Sequence, residues 1–223
     1  MMPDKRRSYN RSERSEPRPP PAKPSQKARP AAASASYAVT SVAVWYVTGV
    51  TLSAFDINQA LEALSEELAD GEERAEIVIV GGAALVLLFG ARETTKDVDA
   101  FFVKPMASVI REAGARVAGR LNLPEDWLND GAKGFLVGLT EGEVLYESKY
   151  LLARAVSTAQ LLAMKLAAWR DAIDRGDARL LLARMSGSME EVWAAVEPLV
   201  PPPQLDKASY AFQDLWEAVH GTT

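Results

Sequence analysis

The sequence predicts an α+β fold: a small mixed sheet flanked by helices, a helical C-terminal part, and a disordered N-terminal tail. Three observations predict it. Helix-periodic segments alternate with two β-like runs, 76–80 and 96–103, in the order helix, strand, helix, strand, helix. Two more β-like runs, 143–147 and 150–156, are followed only by helical patterns. Residues 1–36 are rich in Pro, Ser, Arg and Ala and hold almost no large apolar residue.

The tail is basic and the body is acidic. Residues 1–36 carry nine Lys or Arg against Asp4, Glu13 and Glu16, a balance of +6. The whole chain has net charge −5, so residues 37–223 carry −11. An acidic body is unlike a general nucleic-acid binder. Residues 37–53 are apolar and β-branched, but too short and too interrupted by Thr, Ser and Gly for a membrane span. They read as a strand or as translated upstream sequence. The expected division is a basic tail and linker over 1–49, then a domain over 50–223 with a core at 56–156 and a helical part at 157–223. No membrane association and a cytoplasmic location are expected.

Asp56-Ile57-Asn58-Gln59 has the form of a capping box and opens a helix carrying Leu61, Leu64 and Leu68. Residues 76–80 (EIVIV) read as a buried strand. Gly81-Gly82 turns the chain into an apolar helix over 83–89, ended by Gly90, with a loop at 92–95. Pro105 opens a helix with Met106, Ile110, Ala113, Val117 and Leu121 on one face. Residues 123–128 read as a helix or loop-helix. Ser157-Thr158-Ala159-Gln160 is a second capping box, opening a helix through Trp169. Further helices are expected over about 177–185, after the Ser188-Met189-Glu190-Glu191 cap, and over 207–219.

Composition limits the chemistry. The chain has 223 residues, 48% of them hydrophobic, enough for one well-buried domain. It has no Cys, which excludes disulfides, thiolate zinc sites and cysteine nucleophiles. The one His, His220, is near the C-terminus, against a His-based triad or a multi-His metal site. A metal site here would use oxygen ligands, which suits Mg²⁺ or Mn²⁺.

Within the run KDVDAFFV, strand alternation points Asp97 and Asp99 the same way and Val98 and Ala100 into a core. Two like charges side by side repel unless a cation lies between them. The spacing alone suits a solvated strand end equally well. Gly81-Gly82 lies upstream at a strand-to-helix turn, where backbone N–H groups can approach a phosphate. One helix separates the two motifs, so both can face one pocket. Lys165 lies among Leu161, Leu162, Met164 and Leu166. Its stem is expected to be packed and its ammonium aimed at a partner, although a snorkelling surface Lys fits the same pattern.

The order GGAAL, then GAR-x-TT-x-DVD, resembles the minimal nucleotidyltransferases of the DNA polymerase β-like superfamily. More narrowly it is similar to the AbiEii/MenT-type group, many of which are toxins of toxin–antitoxin pairs. The segments LPEDWLNDGAKGFL (123–136) and LLAMKLAAWRDAIDRGDARLLL (161–182) are also similar to that group. The resemblance spans roughly 57–185. It implies a metal-dependent transfer of a nucleotide from an NTP to an acceptor, such as the 3′ end of tRNA, with an antitoxin protein as partner. By position, Asp97 and Asp99 would be catalytic and hold Mg²⁺ or Mn²⁺. Gly81, Gly82, Arg92, Thr95 and Lys165 would bind nucleotide, and Lys165 and Asp177 would be catalytic as well. Two departures stand out. Ala83 replaces a frequent Ser, and the family's Arg-Asp-x-x-Asp matches Arg170 to Asp174 literally but is better spaced from Lys165 at Asp177. A solvated helix start explains Asp177 about as well. A third carboxylate is not obvious; Glu143 and Glu147 are candidates, as is a plain solvated strand face. Asn129, Asp130 and Lys133 either border the pocket or cap and solvate a helix. Trp127, Trp169 and Trp216 read as core before stacking platforms. Transfer to a small molecule or protein, or a catalytically inactive nucleotide- or partner-binding module, are the alternative functions.

Overall fold

The chain folds around a five-stranded mixed sheet, one end of which gathers the glycine pair and the carboxylate pair. The computed structural model describes residues 51–69 and 74–221. The expected tail and the apolar run at 37–50 lie outside the described residues.

The elements are β1 (Leu52–Ser53), α1 (Ala54–Glu67), β2 (Ala75–Ile79), α2 (Gly81–Phe89), β3 (Thr94–Thr95), β4 (Val98–Lys104) and α3 (Ala107–Leu121). Next come β5 (Leu128–Asn129), β6 (Val144–Glu147), β7 (Leu151–Ala155) and α4 (Thr158–Ala168). The chain ends with α5 (Ala172–Leu182), α6 (Met189–Val196) and α7 (Leu205–His220). This is the expected α+β order. The sheet order is β5-β4-β2-β7-β6, and β1 pairs with β3 in a separate two-stranded ribbon.

Topology brings distant residues together. β2 is antiparallel to β4 and parallel to β7, while β5 is parallel to β4. The C-terminal ends of β2 and β7 therefore lie at the same sheet end as the N-terminal ends of β4 and β5. Val80 N donates to Asp99 O at 2.9 Å across that end. Val98 and Ala100 are buried and Asp97 and Asp99 are half-buried, the alternation expected of a strand with one face in the core.

Several expectations need correction. Helix α1 starts earlier than Asp56 predicts. Ser53 is its N-cap, and Asp56 is the reciprocal partner, accepting from Ser53 N at 2.8 Å. Met106 does not join the apolar face of α3; it precedes the helix and is 75% exposed. Residues 123–128 form no helix: the chain turns and enters β5. Trp127 is fully buried, with its indole N–H donating to Gly114 O at 2.9 Å, so it is core. Helix α5 begins five residues before Asp177, capped by the Asp171 carboxylate, which accepts from Ile173 N and Asp174 N. Ser157 caps α4, but the Gln160 side chain does not return to close the box. It is fully buried, accepts from Thr140 N at 2.9 Å, and donates to Gly138 O at 3.2 Å. It thus ties the 137–140 loop to the start of α4, satisfying a buried amide. The Ser188–Glu191 box forms as expected.

The helical part is held by aromatic packing. Trp193, Phe212 and Trp216 adjoin in sequence at 5.1 and 5.8 Å between ring centroids. His220 stacks on Trp216 at 4.0 Å, which gives the one His a packing role. Among the described residues, no helix is long and apolar enough to cross a membrane.

Candidate functional site

The site starts from two glycines. Gly81 adopts φ +63°, and a Cβ there would lie 3.3 Å from Asp99 Oδ2. A Cβ on Gly82 would lie 2.6 Å from Thr95 Oγ1 and 3.4 Å from Arg92 Nη1. Only residues without side chains let α2 begin this close to Asp99, Thr95 and Arg92. Val80 provides no side-chain cap for α2, so its first N–H groups start beside Asp99, Thr95 and Arg92 without a capping side chain. The helix start is therefore suited to an anion. Ala83, at the position where Ser is frequent, is fully buried in the core. Gly82→Ala is expected to lower stability by about 1–3 kcal/mol by overpacking and to weaken NTP binding; thermal unfolding and nucleotide titration check both.

Asp97 and Asp99 stand opposite this turn. Burial raises the pKa of Asp99, and the adjacent Asp97 charge raises it further. The Asn129 amide and the Lys165 ammonium offset part of that rise. Asn129 Nδ2 donates to Asp97 Oδ2 at 3.3 Å. The two carboxylates offer oxygen donors on one face, and the repulsion of their like charges is what a divalent cation would relieve. Among the described residues, no group of three His, Cys, Asp or Glu side chains could hold a metal. Mg²⁺ fits a two-carboxylate site, because it takes its remaining ligands from water and substrate phosphates.

A second set of charges adjoins this group through Arg92. Lys165 is largely buried, with Nζ 3.0 Å from Asp174 Oδ1 and 2.8 Å from Asp177 Oδ2. Arg92 grips Asp177 with two donors, Nε to Oδ1 at 2.9 Å and Nη2 to Oδ2. Arg170 holds Asp174 Oδ2 through Nε at 3.1 Å and through its backbone N at 3.2 Å. Burial lowers the Lys165 pKa, as do Arg92 and Arg170, while Asp174 counters them. Burial also opposes ionisation of Asp174, but Arg170 and Lys165 outweigh it and hold that carboxyl below its ordinary value.

The structure thus brings together Gly81, Gly82, Arg92, Thr95, Asp97 and Asp99, with Arg92 linking this group to Lys165 and Asp177. Sequence reasoning undervalues two residues. Asp174 shares Lys165 with Asp177, and its signal is the i, i+3 spacing of two Asp on one helix. Asn129 contacts Asp97 from β5, and nothing local announces that strand. The candidate third carboxylates do not belong here. Glu143 and Glu147 lie on the far side of the sheet, with β2 and β7 between β6 and β4. At about 4.8 Å per strand that is roughly 14 Å. Glu147 pairs with Arg74 at 2.9 Å instead. Asp130 is held by Arg111 at 2.6 Å and Lys133 at 2.7 Å rather than by the carboxylate pair.

No curated protein and no solved structure matches the chain. Residues 56–131 match a family model described as "Nucleotidyltransferase of unknown function (DUF6036)". That span runs from within α1 through β5, including Gly81, Gly82, Arg92, Asp97, Asp99 and Asn129, and ends before Lys165. The segment that builds the glycine turn and the carboxylate pair is therefore similar to a nucleotidyltransferase family, which supports nucleotidyl transfer as its general chemistry.

Proposed function

We propose that this chain is a metal-dependent nucleotidyltransferase of the AbiEii/MenT type, which moves a nucleotide from an NTP to the 3′ end of tRNA. The role we propose is that of a cytoplasmic toxin controlled by an antitoxin protein. The observation that carries the transfer chemistry is the convergence of an uncapped helix start, two half-buried carboxylates and two partly buried cations. The tRNA acceptor and the toxin role rest on the sequence resemblance over 57–185.

Each residue has its share of the work. The first N–H groups of α2, with Arg92 and Lys165, bind the triphosphate. Thr95 supports the turn at Gly82. Asp97 and Asp99 would hold Mg²⁺ or Mn²⁺, which neutralises charge on the phosphate oxygens when bound. Asp174 and Asp177 keep Arg92 and Lys165 aimed into the pocket, and a triphosphate competes with them for these cations. The acceptor hydroxyl loses its proton to solvent and its oxygen bonds to the α-phosphorus, as the bond to the β-phosphate oxygen breaks and pyrophosphate leaves.

Incubation with labelled NTPs, Mg²⁺ and total tRNA tests this reading. Label is expected in tRNA with the native chain and absent with Asp97→Ala. The charge of −11 over residues 37–223 favours a second acceptor class, a small molecule or protein; label in that fraction of the same incubation would replace the tRNA reading. Nucleotide binding without incorporation would leave a binding module, and no nucleotide binding would remove the enzyme reading altogether.

A further inference from the structure

Strand β5 is only two residues long, yet it delivers Asn129 to the carboxylate pair. Asn129 lies directly across from Asp99 in the parallel β4–β5 register. Its side-chain nitrogen donates to Asp97 Oδ2 at 3.3 Å, and its side-chain oxygen accepts from Gly131 N at 3.0 Å. The second bond fixes the first. Turning the amide over would set its oxygen against a carboxylate and its NH₂ against a backbone N–H, losing both bonds. The amide is therefore held with its donor side on Asp97.

The register position has a second meaning. A carboxylate here, on the strand beside β4, would complete the three-acid cluster that is absent among the described residues. The chain instead carries an amide of the same shape and no charge. The neighbouring Asp130 cannot substitute, being engaged by Arg111 and Lys133. Cation affinity at an oxygen site depends on the number of charged ligands. Two carboxylates alone make a weak site for Mg²⁺, whereas a triphosphate brings further charged oxygens. A partner that orients a ligating carboxylate also sets the affinity of the site.

Resting on the nucleotidyl-transfer reading, we infer that Asn129 is a positioning residue with two effects. It aims Asp97, and by standing uncharged where a third carboxylate would complete the cluster, it makes divalent-cation binding depend on the incoming triphosphate. Metal and nucleotide then load together.

The test measures Mn²⁺ binding to the full chain by electron paramagnetic resonance, with and without an NTP analogue whose α,β bridge is a methylene. For the native chain, the analogue is expected to tighten Mn²⁺ binding at least about tenfold. Asn129→Asp is expected to bind Mn²⁺ about tenfold more tightly without nucleotide, and to gain much less from the analogue. Asn129→Ala is expected to raise the Mg²⁺ concentration needed for half-maximal transfer, with higher Mg²⁺ restoring part of the rate; a merely structural defect would not respond to Mg²⁺. Equal Mn²⁺ affinity of the native chain with and without analogue would overturn the inference. So would variants that match the native chain in both measurements, and in that case the transfer reading survives. A native chain that binds neither Mn²⁺ nor the analogue would remove both.

Discussion

Asp99→Asn is expected to reduce nucleotidyl transfer by about 10³-fold while leaving the chain more stable at neutral pH. The two effects have one origin. Asp99 is half-buried beside Asp97 and against Gly81, and burial together with the Asp97 charge raises its pKa. An ionised Asp99 is therefore less favourable in the folded chain than in the unfolded one. Asparagine keeps the shape and removes the charge, relieving both burial cost and repulsion. The same change removes half of the carboxylate pair, and losing several kcal/mol of charge stabilisation corresponds to about three powers of ten in rate. The sign of the pH dependence comes from the raised pKa. The cost of Asp99 is full above its folded pKa, shrinks as pH falls through that value, and vanishes below the unfolded one. The stability gain of Asp99→Asn should therefore be present at pH 7 and disappear as the medium is acidified towards the ordinary carboxylate range. Thermal unfolding in the presence of a chelator checks the stability, and single-turnover transfer checks the rate. A variant with native transfer would remove Asp99 from the chemistry; a variant less stable than the native chain at pH 7 would contradict burial and the Asp97 charge as the origin of the raised pKa.

The parts of this site that are legible in sequence are those built by short-range rules. Alternation alone places Asp97 and Asp99 on one face and Val98 and Ala100 in the core, because the period of a strand is two wherever it pairs. The Gly81-Gly82 turn is legible because both neighbours of the turn, a β-branched run and an apolar helix, are encoded close by in the chain. Long-range pairing hides the rest. The segment at 123–128 carries Pro and two acids, which locally resemble a helix start. It becomes an entry to β5 because Trp127 is buried under α3 and its backbone O accepts from Val98 N at 2.6 Å. Only that pairing places Asn129. Gly176 suggests a break between Asp174 and Asp177, since Gly weakens helices by about 1 kcal/mol. In the fold Gly176 is an exposed helical position, and the buried ion pairs of Asp174 and Asp177 override its propensity. The start of α1 is a similar case. Ser53-x-x-Asp56 and Asp56-x-x-Gln59 both fit the capping pattern, and burial of Leu52 selects the earlier one.

Lys165→Met is expected to abolish nucleotide binding at micromolar NTP and to lower stability by about 2–3 kcal/mol. Methionine fills the space of the buried stem but leaves Asp174 and Asp177 without their shared ammonium. Removing one partner of a buried ion pair costs about 3–5 kcal/mol when the other is left alone. Here Asp177 keeps Arg92 and Asp174 keeps Arg170, and the burial cost of the ammonium itself is relieved, so the loss falls below that range. For a folded region of this size the melting temperature should drop by roughly 5–10 °C. The native chain offers an independent check through pH. Burial, Arg92 and Arg170 hold the Lys165 pKa below that of an ordinary lysine. Its ammonium is present at neutral pH and is lost as pH rises through that lowered value, so transfer should fall on the alkaline side earlier than a free lysine would dictate. Asp174→Asn removes the group that supports the ammonium and should move this alkaline limb to still lower pH. Asp171→Asn, which leaves the Lys165 contacts in place, should not move it. An alkaline limb unmoved by Asp174→Asn would show that the ammonium of Lys165 does not govern the reaction, whatever the stability of the variant.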